Sequence, residues 1–227
     1  MSSVAISGNA SGTGTLTIAT PNTNTNYTFT LPAETGTALT SNSPGYNAFK
    51  NRIINGAMVI DQRNAGASVT APNGDYTLDR WRTLSSAASK FTMQQNAGAV
   101  TPPAGFSNYA GMTVTSAYSP TGGELFGVRQ RIEGFNIADL AWGTASASPV
   151  TVSFWARSSL TGTFGGSLQN SASNRSYPFT YTISASNTWE QKTVTIAGDT
   201  SGTWLTTNGV GISVLFSIGA EIGRAHV

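Results

Sequence analysis

Carboxylates are the side chains in this sequence that could perform acid–base chemistry. Glycoside hydrolysis needs two of them, about 5 to 10 Å apart, one to protonate the leaving oxygen and one to act as base or nucleophile. The larger part of the chain offers eight: Asp61, Asp75, Asp79, Glu124, Glu133, Asp139, Glu190 and Asp199. No two form a recognisable catalytic pair. Cysteine is absent and His226 is the only histidine, so nucleophilic catalysis with a histidine base and a histidine-built metal site both depend on the last residues. We expect a protein that is not an enzyme, with no metal and no cofactor.

Two segments alternate between apolar and polar residues and define candidate binding faces. In the segment 150–158 the side chains on one face suit a core, namely Val150, Val152, Phe154 and Ala156. The other face carries Thr151, Ser153, Trp155 and Arg157. In the segment 126–135 one face carries Arg129, Arg131 and Glu133, opposite Val128, Gln130 and Ile132.

Antiparallel pairing could bring these two polar faces together. Four further residues lie in strands that could extend the same surface: Gln94, Gln169, Asn170 and Tyr177. A purely structural interpretation stays open for each segment. Trp155 could cover a small apolar cluster, with Arg157 paired to Glu133 or Glu190, and the arginines of 126–135 could form exposed cross-strand ion pairs that contribute little.

The composition predicts a neutral, hydroxyl-rich surface. Charged residues make up 10% of the 227 residues, against about 25% in an average soluble domain. Such a surface suits a polar, uncharged partner such as a glycan. The net charge of +2 comes from scattered residues, so a nucleic-acid partner is not expected. The sequence shows neither a signal peptide at its start nor a segment long and apolar enough for membrane insertion.

The pattern of short strands predicts an all-β fold. We expect strands at about 76–84, 90–96, 111–118, 125–135, 149–159, 163–170, 177–184, 189–197 and 209–218, separated by Gly, Asn, Ser and Pro. The only helical turn is expected at 136–141. Many short strands without long helices indicate a jelly-roll-like β-sandwich.

Residues 1–48 form a separate β-rich leader. Three short strands are expected around Val4 and Ile6, around Leu16 and Ile18, and from Tyr27 to Leu31. These strands carry too few apolar groups to be stable alone, so the leader needs copies of itself; a disordered linker is the alternative. The turn cluster at 41–45 marks the boundary, and the globular unit is expected at 49–220.

The globular unit opens with the segment 51–64. Ile54, Met58 and Ile60 are placed as in a partly buried strand, with Asn55-Gly56 as a tight turn or bulge. We expect polar anchoring contacts from Arg52, Asp61 and Arg63.

The last seven residues, 221–227, differ in composition from the rest. Glu-Ile-Gly-Arg-Ala-His-Val resembles the translation of a common sequencing adapter. This implies a non-native tail, so that His226 is foreign and the natural chain continues beyond Ala220. An ordinary polar C-terminus is the alternative.

Three segments carry resemblances to one known family. The run N-R-I-I-N-G-A-M-V-I-D-Q-R at 51–63, and Y-T-F-T-L-P-A-E-T-G-T at 27–37, resemble junction and leader segments of phage tail fibre and tail-associated proteins. Asp79-Arg80-Trp81, after Tyr76, is similar to an element that follows the junction in this family. We expect Trp81 to be buried with its indole N–H bonded, and Asp79 to accept backbone N–H groups.

The segment V-T-V-S-F-W-A-R-S at 150–158 resembles the V-x-L-S-F-W-x-R-S strand of carbohydrate-binding-module-like jelly rolls, with Val152 in place of Leu. In those folds the polar and aromatic face receives sugars, because a flat ring stacks on the C–H face of a pyranose. The resemblance therefore implies glycan contacts by Trp155 and Arg157 first, and by Arg129, Arg131, Gln94, Gln169 and Tyr177 as extensions.

Together these resemblances imply a virion tail component, assembled in the bacterial host cytoplasm, that binds other tail proteins and attaches to a host surface glycan. They also imply a homotrimer formed through residues 1–48. Two alternatives stay open: a purely structural tail or decoration protein without a ligand, and a polysaccharide-degrading glycosidase. Tail glycosidases are usually long parallel β-helices, and no such repeats are found in this sequence.

Overall fold

The computed structural model describes residues 11–13, 23–26, 28, 50–71 and 73–220. The chain divides into two units, Met1–Ala48 and Phe49–Val227. The described residues of the first unit are exposed, and the Thr25 amide donates to Thr23 Oγ1 at 3.0 Å. The three strands predicted in the leader, and the segment 221–227, lie outside the described residues.

The described part of the second unit consists of strands and short 3₁₀ turns. The strands are β1 (Val69–Thr70), β2 (Tyr76–Leu78), β3 (Trp81–Ser85), β4 (Phe91–Gln95), β5 (Ala110–Val114), β6 (Leu125–Glu133), β7 (Val150–Ala156), β8 (Gly162–Gln169), β9 (Ser176–Ile183), β10 (Glu190–Ile196) and β11 (Val210–Ala220). The 3₁₀ turns are Ala97–Ala99, Gly134–Asn136 and Ala138–Leu140.

These strands form three antiparallel sheets arranged as a sandwich. One layer is a six-stranded sheet in the order β2-β3-β6-β11-β8-β9, and the second layer consists of the two-stranded sheet β10-β7 and the three-stranded sheet β1-β4-β5. Apolar side chains of β7 and β10 pack on those of β6, β8, β9 and β11, while β4 and β5 pack on β2, β3 and β6. The predicted all-β sandwich is confirmed.

Phe216 in β11 joins the two halves of the core. Its ring lies 4.8 Å from that of Phe154 in the two-stranded sheet and 6.4 Å from that of Trp81 in β3. Burial of large apolar side chains contributes about 1.5 to 3 kcal/mol each, so these contacts hold the layers together. The alternation in 150–158 has the predicted result, because Val150, Val152 and Phe154 pack against the core.

Two element predictions need correction. The single strand expected at 76–84 is a pair, β2 and β3, that turns at Asp79-Arg80, where Arg80 has a φ of 73°. The helical turn expected at 136–141 is a pair of 3₁₀ turns at Gly134–Asn136 and Ala138–Leu140.

The prediction of a partly buried strand in the opening segment is also wrong. Asn55 and Met58 have φ values of 53° and 54°, which no strand accommodates, and Ile54 and Ile60 are 41% and 47% exposed. The predicted turn at Asn55-Gly56 is confirmed by the bond from the Met58 amide to the Asn55 carbonyl, at 3.1 Å.

The opening segment is held by side chains of other elements. The buried Gln130 accepts from the Ile54 amide at 2.8 Å and donates to the Ile54 carbonyl at 2.7 Å. Both guanidinium Nη atoms of Arg52 donate to Asp139, at 2.8 Å each. Gln130 thus supplies the bonds that a neighbouring strand would otherwise make.

The Asp79-Arg80-Trp81 element has the architectural role that was predicted. Trp81 is 4% exposed, and its indole N–H donates to the Asn55 carbonyl at 3.1 Å. The Asp79 carboxylate accepts from the Gln62 amide at 2.7 Å. The turn therefore fixes the opening segment to the edge of the large sheet.

Candidate ligand-binding faces

The outer surface of the two-stranded sheet forms the first candidate site, here called the tryptophan face. Strands β7 and β10 pair so that Trp155 is opposite Gln191, with the remaining outward residues in register beside them. The face consists of Thr151, Ser153, Trp155, Gln191, Thr193 and Thr195, all of them exposed. Trp155 is 38% exposed, so its ring is partly supported by neighbours and partly available.

The hydroxyls of the tryptophan face pair with one another across the two strands. The hydroxyls of Thr151 and Thr195 lie 3.2 Å apart, and those of Ser153 and Thr193 lie 3.4 Å apart. Hydroxyls can rotate to act as donor or acceptor, so this row can exchange its internal bonds for bonds to a polar ligand. The arrangement is an aromatic ring bordered by adaptable hydrogen-bonding groups.

Arg157 lies at the end of this face and is held in place. Its Nε donates to the Asn187 carbonyl at 2.9 Å. The alternative that it pairs with Glu133 or Glu190 is wrong, because Arg80 binds Glu133 at 2.7 Å and Lys192 binds Glu190 at 2.5 Å.

The outer surface of the six-stranded sheet forms the second candidate site, here called the arginine face. Arg82 in β3 is directly opposite Arg129 in β6, and Arg131 follows on the same side two residues along β6. Tyr76 in β2 is opposite Arg82, whose guanidinium carbon lies 5.6 Å from the centre of the tyrosine ring. Three cations therefore occupy neighbouring positions of one sheet surface.

The arginine face continues across the sheet in a polar row. Arg131 is in register with Ser213 of β11, Ser213 with Gln169 of β8, and Gln169 with Ser176 of β9. The Ser176 hydroxyl is buried and has no hydrogen-bond partner. This row places amide and hydroxyl groups next to the cations.

The electrostatics of the arginine face are unfavourable without a counterion. Burial, followed by the charges of Arg131 and Arg82, lowers the pKa of Arg129 to about 10. Burial and the charge of Arg82 lower the pKa of Arg131. Both groups stay charged at neutral pH, so the sheet holds like charges side by side, which is destabilising.

Within the part of the chain that the structure describes, no carboxylate pairs with Arg82, Arg129 or Arg131. Glu133 shares their side of β6, but Arg80 holds it and lowers its pKa. The Nε atom of Arg129 is buried without a partner. The alternative of cross-strand ion pairs is therefore wrong for Arg129 and Arg131.

The predicted site residues do not form one surface. Trp155 and Arg157 lie on the two-stranded sheet, whereas Arg129, Arg131 and Gln169 lie on the six-stranded sheet. Both sheets turn their apolar sides to a shared core, so these two polar faces point in opposite directions. The prediction that pairing joins them is wrong, because β7 pairs with β10 and β6 pairs with β3 and β11.

Three other residues that were predicted to extend the binding surface belong to neither face. Gln94 lies in the three-stranded sheet and donates to the Gly66 carbonyl at 2.8 Å. Tyr177 is in register with the buried Leu168, so it lies on the core side of edge strand β9, away from Gln169. Asn170 is 2% exposed and donates to Asn174 and to the Thr203 carbonyl.

Arg82 and Tyr76 are members of the arginine face that the sequence interpretation missed. Both fell in a segment interpreted as one strand, which hid the hairpin that brings them beside β6. The alternation of Trp81, Arg82 and Thr83 was the available signal, because Arg82 is the polar residue between two buried ones.

The carboxylates considered for catalysis make structural contacts. Arg175 donates to Asp199 at 2.6 and 2.7 Å and lowers its pKa to about 2. Arg52 likewise lowers the pKa of Asp139 to about 2. Asp61 accepts from the amides of Asn64 and Gly66.

The described residues contain no group of three or more His, Asp or Glu side chains that could hold a metal ion. They also contain no helix with the length and apolar character of a membrane span.

Comparison with known proteins gives one structural likeness. No family model and no curated protein matches this chain. Among solved structures, the chain is similar to tailspike protein 4 of bacteriophage CBA120, in a structure described as its enzymatically active domain. The TM-score is 0.37 and the identity 14%, and the match covers 60% of this chain and 18% of that one.

This comparison corrects one expectation. We expected a protein that is not an enzyme, but the tailspike domain that this chain matches is described as enzymatically active. We therefore do not retain the expectation that catalysis is absent. A likeness at this level does not assign the tailspike's activity to the present chain.

Proposed function

We propose that this chain is a phage tail component whose β-sandwich contributes to host attachment by binding a surface glycan. The tail role rests on the resemblance of 27–37 and 51–63 to tail fibre segments. The binding role rests on the tryptophan face, which presents a partly exposed indole in a row of hydroxyls.

The proposal depends chiefly on the partial exposure of Trp155. The residue is 38% exposed on a sheet surface that carries no charged residue among its six members. An aromatic ring combines a large apolar surface with low conformational entropy, and the neighbouring Ser and Thr hydroxyls can bond to sugar hydroxyls. We infer an uncharged pyranose as the group that stacks on Trp155.

Binding to a single face of this size is expected to be weak. Linking several copies raises the effective concentration and converts weak contacts into stable attachment. We propose that residues 1–48 form a homotrimer for this purpose. Light scattering on the full chain should give three times the monomer mass, and a monomer mass would contradict the trimer without affecting the face.

A glycan array of neutral bacterial surface oligosaccharides tests the binding role. Trp155→Ala should weaken binding by about tenfold, equivalent to about 1.4 kcal/mol, while Trp155→Phe should keep most of it because a ring remains. Phe135→Ala is the matched control, since Phe135 is an aromatic residue 66% exposed outside the face. Equal binding by the wild type and Trp155→Ala would contradict the proposed site and favour a structural tail component.

A further inference from the structure

We propose that the arginine face is a second binding site, separate from the tryptophan face, and that it takes an oxyanion on an acidic saccharide. Arg82, Arg129 and Arg131 would hold the anion, and Gln169 and Ser176 farther along the same side of the sheet would bond to sugar hydroxyls.

The first support is the concentration of unpaired charge. Five other cations of the described part have a carboxylate partner, among them Arg52 with Asp139, Arg80 with Glu133 and Arg175 with Asp199. Arg63, Lys90 and Arg157 have none there, but only Arg82, Arg129 and Arg131 occupy neighbouring positions of one sheet. The net charge of the whole chain is only +2, so three adjacent arginines do not follow from a general excess of cations. They form a local positive field that an anion would neutralise.

The second support is the state of the hydrogen-bonding groups. The Nε atom of Arg129 and the hydroxyl of Ser176 are both buried without partners. A buried donor left unpaired destabilises the fold, because it has lost its bonds to water and gained none in return. Both groups lie on the same side of the sheet, so a polar ligand bound there would supply the hydrogen bonds that they lack.

The third support is the geometry of the guanidinium group. Its planar set of N–H donors matches the two oxygens of a carboxylate and binds phosphate in the same way. Arg82 is already oriented by its bond from Nε to the Gly74 carbonyl at 2.6 Å. A carboxylate of a uronic acid and a phosphate substituent on a sugar share this recognition chemistry.

The saccharide class follows from what surrounds the arginines. Beyond the buried Ser213, the row continues with the amide of Gln169 in β8 and the hydroxyl of Ser176 in β9. These groups suit the hydroxyls of a sugar. Tyr76, 39% exposed, adds an aromatic ring at the other end. An inorganic anion would contact only the arginines, whereas a saccharide would also form hydrogen bonds with the neighbouring polar groups.

The proposal is tested by calorimetric titration of the full chain with oligogalacturonate. The methyl ester of the same oligosaccharide serves as the uncharged control. The wild type should bind the acid at least about tenfold more tightly than the ester, and added NaCl should weaken this binding by screening. Inorganic phosphate is used as competitor at constant ionic strength. Displacement would show that phosphate also occupies the arginine face. Titration with a sugar phosphate of the same length then separates the sources: tighter binding than the uronate favours a phosphorylated sugar, and weaker binding favours a uronic acid.

Variants separate this site from the tryptophan face. Arg129→Gln combined with Arg131→Gln should lose at least about tenfold in affinity for the acid, while Arg→Lys at both positions should lose less because the charge remains. Trp155→Ala should bind the acid like the wild type, so failure of the neutral-glycan proposal leaves this one intact. Thermal unfolding of each variant reports folding.

Two results would overturn the proposal. One is wild-type affinity for the acid no greater than for the ester. The other is a folded double Gln variant that binds the acid as tightly as the wild type.

Discussion

The two outward faces of the sandwich differ in how their polar groups are satisfied. On the tryptophan face, hydroxyls of paired strands bond to one another and Arg157 bonds to a carbonyl. On the arginine face, no carboxylate among the described residues pairs with any of the three cations, since Arg80 holds Glu133. The first face is stable as it stands and can exchange its bonds, whereas the second is electrostatically incomplete. We therefore propose a neutral ligand for the first face and an anionic ligand for the second.

The largest expected effect tests whether Trp155 is a surface residue or part of the core. Trp81→Ala should lower the free energy of unfolding by about 3 to 5 kcal/mol, as removal of a buried tryptophan does. Trp155→Ala should cost less than about 1 kcal/mol because its ring is partly exposed. Urea denaturation compares the two, and equal losses would remove the tryptophan face from consideration as a free surface.

Lowering the pH should destabilise the fold through the paired arginines and not through the unpaired ones. The pKa values of Asp139 and Asp199 are lowered to about 2, so the folded chain binds these protons less tightly than the unfolded chain. Their contribution is present above about pH 4 and is lost as pH falls towards 2, by an amount on the order of 1 kcal/mol after screening of these partly exposed pairs.

Urea midpoints measured between pH 5 and pH 2 check this dependence. Asp199→Asn should flatten it, because one of the two ion pairs is gone. The double variant of Arg129 and Arg131 should leave it unchanged. A changed slope in that double variant would mean that these arginines have carboxylate partners after all.

Removing an unpaired cation should stabilise the fold. Arg129→Met keeps the length of the side chain but removes a buried, unbonded N–H and a repulsive charge. We expect a gain of about 1 kcal/mol in the free energy of unfolding. Arg175→Met is the matched control and should lose stability, since it breaks the pair with Asp199. A loss in both variants would show that Arg129 is satisfied in the folded state.

The smallest effect concerns the hydroxyl row of the tryptophan face. Thr151→Val removes one partner of a cross-strand pair at an exposed position, and we expect a stability change of a few tenths of a kcal/mol. Binding of a neutral glycan should fall by more than this, because the hydroxyl would bond to the ligand. Thermal unfolding and the glycan array measure the two effects, and a change in stability alone would make the row purely structural.

Sequence patterns predicted the strands well and the assembly of the site poorly. Alternation in 150–158 gave the correct inward and outward sets because period-two patterning follows directly from strand geometry. Pairing between distant strands is not local, so nothing in the segments around Arg129 and Trp155 indicated that they belong to different layers. The hairpin between Tyr76 and Arg82 was missed for a related reason, since its turn contains Asp79-Arg80 and no glycine. Arg80, which has a positive φ in that turn, donates to Glu133 and to the Arg131 carbonyl, and such contacts with distant residues cannot be deduced from the local sequence.

The bonds between Gln130 and Ile54 have a mechanical consequence. A pulling force applied at Lys50 acts first on the bidentate ion pair of Arg52 with Asp139. It then acts on the two hydrogen bonds between the Gln130 side chain and the Ile54 backbone. Both hydrogen bonds join the same two residues, so they share the load and do not break one after the other. Because β6 lies inside the six-stranded sheet, the pull is delivered to an interior strand, where neighbours on both sides resist shearing.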